Sequence, residues 1–103
     1  MGKDRTIKIL GGVLGNIVLH KILVRHTNKF ESLSHLKKEV EAYRDNASEW
    51  ASQFNWNEED LEKIKLEALN NLDKDMKRTY SDVKFSKEEA EQLVEETLKE
   101  ILE

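Results

Sequence analysis

The sequence predicts an all-α domain, a compact bundle-like arrangement of four helices. The 103 residues contain no proline and only four glycines, so few positions could break a helix or build the turns of a β-rich fold. Apolar residues between 33 and 54 recur at alternating steps of three and four, which is the period of one helical face. Helix start signals follow near 57 and 86. We therefore predict helices at about 6–27, 33–54, 57–80 and 86–102, in a single domain over residues 1–103.

The first predicted helix, 6–27, is apolar on nearly every side. Eleven of the eighteen residues from 7 to 24 are Ile, Leu or Val. Such a helix is either buried on several sides or lies in a membrane. Asn16, His20 and Lys21 interrupt the stretch, and a span of about 20 residues across a bilayer tolerates few such side chains. We therefore expect a core helix and no stable membrane insertion.

A β-hairpin is the alternative for this first segment. The apolar run 6–10, the pair Gly11-Gly12 and the second aliphatic run together match a hairpin pattern. An isolated pair of strands is marginally stable, and no later segment offers a third strand. The helix is therefore the preferred prediction.

The segment 33–54 is the clearest amphipathic helix. Its apolar residues fall on one stripe, the residues between them are polar or charged, and Ser32 or Ser34 can cap its start. The residues of the stripe are Leu33, Leu36, Val40, Tyr43, Ala47, Trp50 and Phe54.

The last two helices carry the strongest start signals. Asn57 is a good cap and Asp60 stands three residues later, while Ser86 and Glu89 form the capping-box pattern. The residues predicted to face inward are Leu61, Ile64, Ala68, Leu69, Leu72, Met76 and Tyr80 in the third helix, and Ala90, Leu93, Val94, Thr97, Leu98, Ile101 and Leu102 in the fourth.

The chain lacks the residue patterns of common catalytic and cofactor sites. The absence of cysteine excludes disulfides, thiolate metal sites and cysteine nucleophiles, and it suits a reducing cytoplasm. There is no H-x-x-x-H or E-x-x-H pattern, no P-loop and no dinucleotide-binding fingerprint. We therefore predict a cytoplasmic protein that is not an enzyme and that carries no cofactor.

Two carboxylate patterns were weighed as metal sites. Glu58, Glu59 and Glu62 form E-E-x-x-E, which resembles the first half of the Mg²⁺-binding motif of all-α nucleotide pyrophosphohydrolases of the MazG type. The family's downstream E-x-x-D is missing, and the first turn of a helix already favours carboxylates. His35 lies between acidic residues at spacings of four, but it is a single imidazole. We predict no metal site.

The preferred functional prediction is a non-enzymatic interaction module. The aliphatic first segment is larger than a small domain easily hides, and Gly11 and Gly15 form a G-x-x-x-G pair that permits close helix crossing. We expect this segment to form a homodimer or to dock on a protein partner. The predicted interface residues are Gly11, Leu14, Gly15, Val18 and Ile22.

A nucleic-acid-binding accessory protein is the alternative. Residues 1–29 carry a net charge of +5, whereas the remaining residues carry −9. Basic residues at one end of an acidic chain can form an arm that contacts phosphates. The residues that would do so are Lys3, Arg5, Lys8, Arg25, His26 and Lys29.

Overall fold

The computed structural model describes residues 2–26, 30–79 and 84–102, except for the side chains of 30–33, 36 and 79. All the regular structure in these ranges is helical: α1 (Lys3–His26), α2 (Phe30–Ala51), α3 (Glu58–Thr79) and α4 (Lys87–Leu102). The predicted all-α fold with four helices is confirmed. The hairpin alternative is wrong, because α1 runs through Gly11 and Gly12 without a break.

The helix α1 is the centre of the domain. Each of the other three helices packs against it, α3 most extensively, and α4 also touches both α2 and α3. No Cα atom of α2 lies within 8 Å of a Cα atom of α3. The helices α2 and α3 therefore lie on either side of α1 while α4 covers its back, and within the described residues no helix covers its front.

The core consists of apolar side chains from all four helices, and four of its six largest fully buried members belong to α1. An apolar side chain in this position adds about 1.5–3 kcal/mol to the stability of the fold. The buried apolar residues are Ile7, Leu10, Leu14, Ile17, Val18, Leu19 and Ile22 of α1, Val40, Ala47 and Ala51 of α2, Ile64, Ala68, Leu72 and Met76 of α3, and Ala90, Leu93, Val94, Leu98 and Ile101 of α4.

The start of α3 forms the capping box that the sequence predicts. The backbone N–H of Asp60 donates to Oδ1 of Asn57 (2.8 Å), and the backbone N–H of Asn57 donates to Oδ2 of Asp60 (3.2 Å). Two N–H groups that a helix start leaves without partners are thereby satisfied. The same carboxylate binds Nζ of Lys3 (2.6 Å), so the cap of α3 also ties it to the start of α1.

The start of α4 realises only half of its predicted capping box. The backbone N–H of Glu89 donates to Oγ of Ser86 (3.0 Å), but the carboxylate of Glu89 turns toward α1. There it lies 3.4 Å from Nη1 of Arg25 and 3.6 Å from Nε2 of His26. The Arg25 guanidinium and the His26 imidazole on α1 compete with the single backbone N–H that a reciprocal cap would satisfy.

Other sequence predictions differ in detail or fall outside the described residues. The helix α1 begins at Lys3 rather than at residue 6, and α2 begins at Phe30 and ends at Ala51. Leu102, predicted to face inward, is 40% exposed, whereas its neighbour Ile101 is buried in the core, so Leu102 lies off the buried face of α4. The side chains of Leu33 and Leu36, and the predicted helix end at Tyr80, lie outside the described residues.

The tie between Lys3 and Asp60 predicts an acid-dependent loss of stability. The hydrogen bond from Lys3 lowers the pKa of Asp60; burial opposes this shift, and the N–H of Asn57 adds to it. A carboxyl whose pKa is lowered by folding stabilises the fold above its ordinary pKa of about 4, and this contribution disappears as the pH falls through the folded-state pKa. We expect Asp60→Asn to lower Tm at pH 7 and to approach the parent Tm in strong acid.

Thermal unfolding of both proteins between pH 7 and pH 2 tests this expectation. The matched control is Asp73→Asn, because Asp73 is exposed on the same helix and pairs only with Lys77. Its Tm difference from the parent should remain small throughout. A Tm difference for Asp60→Asn that is independent of pH would show that the tie to Lys3 does not stabilise the fold.

Candidate interaction surface

The five residues predicted as an interface lie inside the single chain. Leu14, Val18 and Ile22 are fully buried, and Gly11 and Gly15 are buried beneath α3. The G-x-x-x-G pair therefore serves a tight helix crossing within the chain, and these five residues are not a free surface in this fold. The reason is that α3, which sequence reasoning could not place relative to α1, occupies the position of the expected partner.

Contacts around α1 divide its circumference into four sectors. Gly11 and Gly15 face α3, Lys21 reaches Thr97 on α4 (2.8 Å), and His20 reaches Glu39 on α2 (2.5 Å). With 3.6 residues per turn, the remaining sector lies between the directions of His20 and Gly15, on the side of α1 opposite Lys21. It is therefore the sector between α2 and α3. This sector is the uncovered front of α1.

The residues of this sector form what we call the open flank of α1. Arg5 is exposed, and the other four members are partly buried, with Leu23 packed against the edge of the core. Together with the buried Leu19, they follow steps of four, three, four, three and four, the spacing of a coiled-coil seam. The open flank consists of Arg5, Ile9, Gly12, Asn16 and Leu23.

The three glycines of α1 have different surroundings. A Cβ atom at Gly11 would collide with Cβ of Glu67, and one at Gly15 would lie 3.0 Å from the Ala68 carbonyl oxygen and 3.2 Å from Cβ of Asn71. At Gly12 the nearest heavy atom is Nδ2 of Asn71, at 4.0 Å. Since glycine costs a helix about 0.5–1 kcal/mol relative to alanine, Gly12 is a weakness that no packing within the described chain explains.

The helices on either side of the open flank differ in charge along their facing edges. On α2, the edge away from α4 carries Glu39 and Glu49, with the basic Lys38 beside them. On α3, the edge away from α4 carries Lys63 and Lys74, with one acidic residue between them. The open flank thus lies between a weakly acidic edge and a mainly basic edge.

Glu39 also contacts two histidines, at the end of the open flank that lies toward the C-terminus of α1. Its Oε2 lies 2.5 Å from Nε2 of His20, and its Oε1 lies 2.9 Å from Nε2 of His35. The Nδ1 of His20 lies 2.7 Å from the carbonyl oxygen of Asn16. Each imidazole contacts a different oxygen of the carboxylate, so Glu39 bridges the two rings. Among the described residues, no group of three or more His, Cys, Asp or Glu side chains could hold a metal ion.

The basic residues of the nucleic-acid alternative are dispersed. Lys3 binds Asp60 and lies 5.6 Å from the Trp56 ring centre, and Arg25 and His26 both face Glu89. The exposed side chains of Arg5 and Lys8 lie near the end of the open flank that is closest to the N-terminus of α1. Lys29 lies outside the described residues. Of the five residues that the structure describes, Arg25 and His26 come together at Glu89, and Arg5 and Lys8 lie elsewhere on α1.

One cleft lies between α1, α2 and α4 and has a volume of about 420 Å³. Long charged side chains line much of it, and some of them pair across it. Lys21 binds Thr97 and Glu100 (3.2 Å), and Nη2 of Arg44 lies 3.0 Å from the same carboxylate. These contacts hold the three helices together, while Nε of Arg44 is buried there without a hydrogen-bond partner among the described residues.

The helix α1 is the one described helix with the length and composition to cross a membrane, and half of its most apolar eighteen-residue stretch is buried against the other helices. No protein-family model, curated protein or solved structure matches the chain. Sequence reasoning missed the open flank, although the seam spacing through Ile9, Gly12 and Asn16 was a signal that could have identified it.

Proposed function

We propose that the chain is a non-enzymatic interaction module that binds an apolar stripe of another polypeptide helix on the open flank of α1. One observation carries the proposal: no described helix covers the side of α1 between α2 and α3, where Ile9 and Leu23 are partly exposed. An exposed apolar stripe is a feature of docking sites. As the sequence predicts, the first helix would provide the binding surface, but through the open flank and not through the five residues first predicted.

The composition of the open flank supports a helical protein partner. Ile9 and Leu23 offer apolar contacts, Gly12 permits a close backbone approach, and Asn16 provides an amide that can hydrogen-bond across a seam. A nucleic-acid partner would need several convergent cations. The flank presents Arg5 and, at its edge, Lys8. We also propose a cytoplasmic location, since a cysteine-free chain suits that compartment.

Site-specific photo-crosslinking in the source cells tests the proposal. A photo-reactive amino acid is placed at Asn16, and at Gln92 as the matched control, because Gln92 is exposed on α4, behind α1. We expect a discrete protein adduct from position 16 and none from position 92. Either residue can be replaced without removing a buried side chain.

Other outcomes separate the alternatives. An adduct at position 16 that nuclease removes would favour the nucleic-acid function, and an adduct to lipid would favour membrane association. If positions 16 and 92 give the same products, or neither gives any, the open flank is not a docking face and the proposed function is wrong.

A further inference from the structure

We infer, on the basis of the proposed function, that the helix that packs on the open flank is α1 of a second copy of this chain, in a parallel dimer with twofold symmetry. In such a dimer, the two layers formed by α2, α1 and α3 face each other. Each α1 then meets its own counterpart, and each α2 lies opposite the partner's α3.

The broad face of the domain is comparable in size to a standard protein interface. The domain measures 40 × 24 × 20 Å, and three helices side by side, with a fourth behind the central one, account for its width and depth. A standard interface buries about 800 Å² per partner, so nearly all of the 40 × 24 Å face would be covered in the dimer. The seam along α1 runs for most of the helix, which at 1.5 Å per residue is about 36 Å long.

Contacts fix the heights of the acidic residues of α2 along α1. Glu39 lies beside His20, and the end of α2 lies near the start of α1, because Trp56 donates to the Ala51 carbonyl oxygen (2.8 Å) and lies beside Lys3. The helix α2 is therefore antiparallel to α1. Glu49, ten residues after Glu39, lies about 15 Å closer to the N-terminal end of α1, beside residue 10 of that helix.

The basic residues of α3 lie at matching heights. Lys63 follows Asp60 by one turn and precedes Glu67, which packs on Gly11, so it lies near residue 7 of α1. Lys74 follows Asn71, which packs beside Gly15, so it lies near residue 18. A parallel twofold dimer therefore sets Lys63 of each copy near Glu49 of the other, and sets Lys74 near Glu39.

The opposite orientation is disfavoured by the same charges. In an antiparallel twofold dimer, each α2 would face the partner's α2, and each α3 would face the partner's α3. Glu39 and Glu49 would then face acidic edges, and Lys63 and Lys74 would face basic ones. Like charges across an interface select against a pairing, so the two edges specify the parallel arrangement.

Residues in the middle of the seam agree with this orientation. Asn16 of each copy would lie opposite Asn16 of the other, and an asparagine pair at one core position is a device that fixes the register of parallel helices. Gly12 would lie opposite Gly12, which gives the third glycine of α1 the close contact that it lacks within the chain.

Charge reversal tests the orientation. We expect the parent chain to sediment as a dimer at about 10 µM. Glu49→Lys should weaken dimerisation about tenfold, because two symmetry-related ion pairs become repulsive. The double variant Glu49→Lys with Lys63→Glu should restore it. Since α2 and α3 do not approach each other within one chain, such a rescue can arise only between chains. Glu91→Lys, on α4, is the matched control and should leave dimerisation unchanged.

A second variant tests the seam without changing charge. A Cβ atom at Gly12 meets no heavy atom closer than 4.0 Å within the single chain, but the side chain of Gly12→Leu would separate the two α1 helices of a dimer. This variant should therefore abolish the dimer while the helical circular dichroism of the dilute protein is retained. Gln92→Leu adds the same side chain to α4 and should have no effect on association.

Each outcome supports or overturns the inference. A dimer that responds as described supports it. A chain that stays monomeric at about 100 µM, or a dimer indifferent to Gly12→Leu and to the charge swap, overturns it. If the chain is monomeric while position 16 still crosslinks to a different protein in cells, the second copy is the wrong occupant but the proposed function stands.

Discussion

Truncation of Leu14 to alanine is expected to lower the free energy of unfolding by about 2–5 kcal/mol, the range for a large apolar side chain removed from a closed core. Leu14 is fully buried in the middle of α1. Its removal takes contacts from a helix that all three of the others use, so little of the cavity can collapse. Small domains have only about 5–15 kcal/mol of total stability, so this single change would threaten folding near body temperature.

Urea unfolding followed by circular dichroism measures this loss through the midpoint, provided that the slope m is unchanged. The matched control is Leu66→Ala, because Leu66 is 61% exposed and should change stability by about 0.5 kcal/mol or less. A cost below about 1 kcal/mol for Leu14→Ala would mean that α1 does not form the core of the domain in solution.

The second large effect is that alanine substitutions at two adjacent glycines should change the free energy of unfolding in opposite directions. Gly11→Ala is expected to destabilise the fold by about 1–2 kcal/mol net, because overpacking costs about 1–3 kcal/mol and the better helix propensity of alanine recovers up to about 1 kcal/mol. Overpacking prevails because the obstructing atom is the Cβ of Glu67, which is fixed by the backbone of α3. No side-chain rotation can relieve the collision.

Gly12→Ala is expected to stabilise the dilute, monomeric chain by about 0.5–1 kcal/mol, since the new Cβ meets no heavy atom closer than 4.0 Å. Thermal and urea unfolding of the two variants at low protein concentration measures both changes against the same parent. Effects of equal sign at Gly11 and Gly12 would contradict the placement of α3 on the Gly11 side of α1.

The sequence was sufficient to predict the helices, because the signals that define them are local. The stripe that contains Val40 and Ala47 has a clear helical period, and the cap formed by Asn57 and Asp60 depends on residues three apart. The half-formed cap at Ser86 was less predictable. Its Glu89 turns to Arg25, and a partner 64 positions away in the sequence is not visible in a local pattern.

The candidate surface was harder to predict, because α1 is apolar on nearly all sides. Period and composition do not distinguish the stripe that α3 covers from the stripe that stays open, so the G-x-x-x-G pair at Gly11 and Gly15 was assigned to another chain. The distinction arises only when α2 and α3 are seen to lie on opposite sides of α1. The remaining glycine, Gly12, then becomes the informative one.

Thiol labelling is the most direct test of the claim that α1 is a core helix with one uncovered side. The chain contains no cysteine, so a single thiol can be introduced by Asn16→Cys, Val18→Cys or Gln92→Cys. In dilute protein we expect the thiol at position 16 to react nearly as fast as that at position 92, while that at position 18 reacts only when the chain unfolds. As the protein concentration rises, position 16 alone should become protected. Rapid labelling at position 18 would show that α1 is not buried, and protection at position 16 in dilute protein would show that its front is already covered.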